Sequence, residues 1–178
     1  MLCEVDILGM EPQKKETFAL WMRNFIFGVE DSLVSTVGLL SGIAIAEVPR
    51  QTIFLTGIVL IFVEAFSMAV GSFLSESSAE EYEAQSEIPL RSPFIGGVIM
   101  FFSYFISGFI PLFPYIVLAV ESAFWISVAL SLAALFILGA LGAKLAGMNI
   151  LKTGLRMFFI GGVAIAVGIS VGMLVQQY

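Results

Sequence analysis

Two neighbouring carboxylates, Glu30 and Asp31, interrupt the apolar run from Phe25 to Leu40. A charged carboxylate at bilayer depth costs roughly 2.5 kcal/mol or more unless water or a partner receives it. Such residues mark ion pathways, proton relays or ligand sites. A second apolar run, from Thr52 to Leu74, holds Glu64 and, one turn on, Met68. Carboxylate oxygen suits hard divalent ions and thioether sulfur adds softer character, so Fe²⁺, Mn²⁺ or Co²⁺ would accept both. Methionine is also a common filler between helices. The chain has no histidine, and its single cysteine is Cys3. Metal or proton chemistry therefore falls to Asp, Glu, Met, Asn, Ser and backbone carbonyls. No zinc-type cluster and no nucleophile with a base partner is visible, so an enzyme is not expected.

Side chains at i, i+4, i+7 and i+11 share one helix face. From Asn24 that face reads Asn24, Gly28, Asp31, Ser35, Gly38, Gly42. Close helix packing explains the glycines and Ser35, since small residues line membrane helix contacts. It does not explain Asp31, so the expectation is a water- or ion-lined path. Both readings hold together if the stripe meets its own copy across a dimer axis. Glu30 lies about 100° around the helix from Asp31. It is expected either to join the metal site or to meet a neighbouring helix, a basic partner or the membrane interface. On the second run the matching face reads Glu64, Met68, Gly71, Ser75. Beyond it, Glu76, Glu80, Glu83 and Glu87 recur on one face, with Glu81 beside them. Like charges one turn apart repel, so a bound cation would stabilise this face. It reads either as a solvated helix end or as a mouth that gathers divalent ions.

These residues must be carried by membrane-spanning helices. The 178-residue chain is 59% hydrophobic and 12% charged, with mean hydropathy +1.02. Soluble domains carry about 25% charged residues, so lipid is the solvent here. A span needs about 20 apolar residues. Five segments qualify, at about 18–46, 52–74, 94–110, 115–141 and 155–175, with an acidic helical extension and loop over 75–93. Pro111 and Pro114 are expected to stop the third helix and start the fourth. The face of Gly96, Met100, Ser103 and Ser107, and that of Gly161, Gly168 and Gly172, read as packing surfaces. The polar start of the chain lacks the basic segment and short apolar core of a signal peptide, so the first span is expected to stay in the mature protein. Lys14, Lys15, Arg23, Arg91, Lys144, Lys152 and Arg156 fall on one side and Arg50 on the other. That bias places the N-terminus in the cytoplasm and the C-terminus outside. The fold class is an all-α integral membrane protein of five transmembrane helices.

The segments FGVEDSLVSTVGLLSG (Phe27 to Gly42) and EAFSMAVGSFLSESSAEEYE (Glu64 to Glu83) resemble the vacuolar iron transporter family. The resemblance is specific over the first two spans and looser over the other three. It implies a homodimer of five-helix protomers with a path at the dimer interface. It implies passage of Fe²⁺ or Mn²⁺ out of the cytoplasm past Asp31 and Met68, in exchange for protons, without a cofactor. The chain departs from the family pattern at Ser32, where glycine is usual, and at Gly71-Ser72-Phe73-Leu74-Ser75, where a glutamate is frequent. Glu64 is read as the carboxylate that Ser72 lacks. The large cytoplasmic metal-binding domain of eukaryotic members is reduced to about Ser75 to Pro93, which points to a short member in a prokaryotic cytoplasmic membrane. The expected partners are divalent metal ions, protons, the bilayer and a second copy, with no nucleic acid. A passive cation channel and a non-transporting scaffold subunit are the alternatives.

Overall fold

The computed structural model describes residues 12–87 and 89–176. Five helices follow one another: α1 (Pro12–Ile45), α2 (Arg50–Ala84), α3 (Arg91–Val117), α4 (Val120–Leu145) and α5 (Ile150–Gln176). All five are long and apolar enough to cross a membrane. The short connections force successive helices to run antiparallel. α3 packs against α1, α2 and α4, while α1 also packs against α5. Tightly buried residues include Leu40, Ile53, Ile61, Leu112, Tyr115 and Ala123. Large apolar side chains such as Phe66, Phe102, Ile106 and Trp125 face outward instead. That pattern suits a solvent of lipid, where the hydrophobic effect no longer drives side chains inward.

Helix α3 corrects one expectation. It runs straight through Pro111 and Pro114, and the chain turns only at Leu118 and Ala119. Each proline lacks the N–H that a helix would use at its position. Membrane helices tolerate this because neighbouring groups satisfy the backbone. The carbonyls that Pro111 and Pro114 deprive of a helical donor are those of Ser107 and Ile110. Two other carbonyls at this end are met from other helices, the Ser127 hydroxyl donating to that of Pro111 at 2.7 Å and Arg50 Nε to that of Tyr115 at 2.7 Å. The proline-bearing end of α3 is thereby tied to α4 and to the start of α2.

A second correction concerns the acidic extension. α2 continues past the expected span but stops at Ala84, where Gln85 adopts a left-handed conformation (φ 49°). This is a common way to close a helix. Glu87 therefore lies beyond the helix, not on its carboxylate face.

Helices α1 and α5 meet backbone to backbone. A methyl group on Gly168 would come within 2.8 Å of Gly38 Cα, and one on Gly172 within 2.5 Å of Gly42 Cα. Only glycine permits that approach.

Candidate metal path

Asp31 lies fourteen residues before the end of α1, and Glu64 fourteen after the start of α2. In an antiparallel hairpin with a short loop, equal counts bring two residues to one depth. That depth is roughly 21 Å from the hairpin end, at 1.5 Å per residue. The two carboxylates are close enough for their charges to interact. Neither is hydrogen-bonded or ion-paired to another described residue. Met68 stands one turn from Glu64, and both are half-buried, while Gly71 and Ser75 farther along are exposed. The acidic seam between α1 and α2 thus opens on the outer surface of the protomer.

Helix α3 floors this seam. Tyr104 is fully buried, and its hydroxyl lies 2.7 Å from that of Ser35. The charges of Asp31 and Glu64 both reach it. The Ser32 hydroxyl donates to the Tyr104 carbonyl at 2.7 Å. Ser32, a departure from the family glycine, therefore binds α1 to α3 directly beside Asp31. Tyr104 was not legible from its own segment, where it reads as one aromatic among many.

The rest of the stripe divides. The space beside Gly28 is filled by Met100 and Ser103 of α3, and that beside Gly38 by Gly168 of α5. These two glycines, expected to line a path, pack helix on helix because each is the point of closest approach to a neighbour. The faces of α3 and α5 read as packing surfaces do pack, with Gly96, Met100, Ser103 and Ser107 all buried.

Asn24 and Glu76 form a separate node. Glu76, expected at the start of an open carboxylate face, is only 4% exposed. Its Oε1 accepts from the Asn24 side-chain amide and, at 3.1 Å, from the Ser72 hydroxyl. Arg23 approaches the same oxygen at 3.6 Å. Oε2 is buried without a hydrogen-bond partner and presses against Gly96, where a methyl group would collide with it. Burial follows from the meeting of α1, α2 and α3 at this level. Glu80 and Glu83 remain accessible and line a cavity of about 410 Å³ with Arg23, Ser75 and Glu76. Glu87 stands apart with Glu81.

Glu30 points away from the seam. It lines a cavity of about 850 Å³ between α1, α4 and α5 that also holds Lys152 and Arg156. It thus faces a different side of α1 from Asp31, beside the basic side chains of that cavity. Among the described residues no group of three or more His, Cys, Asp or Glu side chains could hold a metal ion. One protomer brings two carboxylates and a thioether to the seam.

A five-helix bundle whose outer surface is apolar and whose acids line an inter-helix seam is a multi-pass membrane protein. The sequence model of the VIT family matches residues 22–89 and 84–173. The chain belongs to that family. It is 28% identical to vacuolar iron transporter homolog 4 of Arabidopsis thaliana, over 96% of this chain and 94% of that one. It is also 28% identical to homolog 2 of the same plant, over 89% and 86%. A similar protein in rice (Oryza sativa subsp. japonica), vacuolar iron transporter homolog 5, is 26% identical over 88% and 80%.

Proposed function

We propose that the protein carries a divalent metal ion, Fe²⁺ or Mn²⁺, out of the cytoplasm in exchange for protons. It acts as a transporter and not as an enzyme. Asp31 and Glu64 would bind the ion and exchange protons with it, and Met68 would favour softer divalents. The carrying observation is the pair of unpartnered carboxylates at one depth on α1 and α2. Partnerless acids inside a membrane are expensive and persist where an ion or proton meets them. The names of the relatives contain iron, and iron is the first substrate this reading assigns.

A homodimer completes the site. The seam opens on the protomer surface, where lipid would face two half-exposed acids. A second copy related by a twofold axis would cover it and double the donors to four carboxylates and two thioethers. A divalent cation takes about six ligands, which a single protomer does not supply.

The bias of Lys and Arg supports an N-terminus in the cytoplasm. That puts Glu80 and Glu83 at the cytoplasmic mouth, where they would concentrate cations, with Glu76 holding the helices beneath them. The plant relatives named above are covered over 80% to 94% of their length, so short length does not argue for a prokaryotic cytoplasmic membrane over another membrane.

Metal flux into vesicles reconstituted with the full chain tests the reading. Flux should saturate, follow an imposed pH gradient, and disappear in Asp31→Asn. Unaltered flux in that variant would overturn the site. Flux indifferent to the gradient would remove the proton half and leave a passive channel.

A further inference from the structure

The cavity between α1, α4 and α5 lies at the same end of the bundle as Glu80 but on the far side of α1 from the acidic seam. We propose that it is a binding site for an anionic glycerophospholipid. The phosphate would sit between Lys152 and Arg156, with an acyl chain running along Met22, Ile26 and Ile160, which line the same space. Three observations converge. First, Lys152 and Arg156 stand one turn apart on α5, and neither is ion-paired to another described residue. Second, they sit at the N-terminal turns of α5, which carry no acidic residue. Asn149 caps this end through the Lys152 N–H at 3.1 Å, and the helix dipole there adds to the pull on an anion. Third, the cavity joins this positive rim to an apolar wall within about 850 Å³, enough for a headgroup and the first part of a chain.

The level in the bundle fits the ligand. Arg156 begins the last apolar run, so the rim lies where lipid phosphates lie. Basic pockets between membrane helices take anionic headgroups in this way. Glu30, the one acid among the described lining residues, offers an acceptor to a headgroup hydroxyl. That detail favours phosphatidylglycerol over a headgroup without hydroxyls. Among the described lining residues two cations stand against one carboxylate, an excess positive charge that a single phosphodiester neutralises.

The test is binding and does not depend on transport, so its outcome is separate from that of the proposed function. Purified full-length chain is titrated with phosphatidylglycerol, phosphatidylethanolamine and inorganic phosphate. Retained lipid is counted by native mass spectrometry and thermal stabilisation is followed in parallel. Phosphatidylglycerol should bind with one high-affinity site per protomer and raise the melting temperature. The double variant Lys152→Ala, Arg156→Ala should bind it more weakly, by roughly fivefold for each cation removed. Lys144→Ala, which removes an exposed cation of α4 outside the cavity, should bind like the unaltered chain. Equal retention of phosphatidylethanolamine, equal loss in Lys144→Ala, or no loss in the double variant would each overturn the site. Equal stabilisation by inorganic phosphate would assign the anion without the lipid, and overturn the proposal as stated. If the double variant does not fold, Lys152→Gln alone and the comparison of lipids on the unaltered chain decide it.

Discussion

Glu64 and Glu76 lie on the same helix, twelve residues apart, and have opposite surroundings. Glu76 is nearly sealed from solvent and its Oε1 is met by Asn24, Ser72 and Arg23. Glu64 is half-buried, has no such partner, and shares its level with a second bare acid, Asp31. The difference separates two uses of a carboxylate in a membrane protein. One is consumed in holding α1 to α2. The other keeps its lone pairs free for a visitor.

The sharpest way to break this contrast is to neutralise each type of acid. Asp31→Asn or Glu64→Gln should reduce metal flux by about a hundredfold or more, since loss of even an outer partner of a metal ligand costs 10–100-fold. Both variants should fold and melt like the unaltered chain, as neither group bonds to its neighbours. A matching drop in melting temperature would erase the distinction. The reverse pattern is expected at the node. Gly96→Ala places a methyl against Glu76 and Asn24, an overpacking worth about 1–3 kcal/mol, read as a lower melting temperature. Flux per folded molecule should change little.

Smaller effects refine the seam. Met68→Leu keeps the volume and removes the sulfur, a type of swap that usually costs less than about 1.5 kcal/mol. Flux of Mn²⁺ should persist, while preference for Fe²⁺ and Co²⁺ over Mn²⁺ should fall, as measured in competition assays. Glu30→Gln should change flux by no more than about twofold, the scale of an exposed charge interaction. A large loss there would return Glu30 to the path and fuse the two carboxylates that the helix geometry separates.

The five spans were legible because the bilayer demands long apolar helices and allows few alternatives. Asp31 and Glu64 were legible for the same reason, as charges that lipid does not explain. The register that pairs them was not stated by either segment, but it follows from the hairpin's equal arms. Pro111 and Pro114 misled because their breaking effect is learned from helices that must satisfy their own backbone. In α3 the end that carries them is held in place by α4 and α2, through the carbonyls of Pro111 and Tyr115. Glu76 was illegible because its burial depends on Asn24 across the bundle and on Gly96 having no side chain. The glycines of α1 were ambiguous in principle, since a path wall and a packing face both call for small residues. The arrival of Met100 and Ser103 at Gly28, and of Gly168 at Gly38, decides that case.

The glycine crossing of α1 and α5 constrains how the molecule moves. Two backbones in direct contact have no side-chain layer between them to slide or repack. α1 and α5 therefore form a strut behind the wall of the seam that bears Asp31. α2, the other wall, packs along one stripe, mainly against α3, and leaves much of its apolar surface outward. The seam is thus a groove whose α1 bank, bearing Asp31, is braced by α5, and whose α2 bank, bearing Glu64 and Met68, is backed by α3.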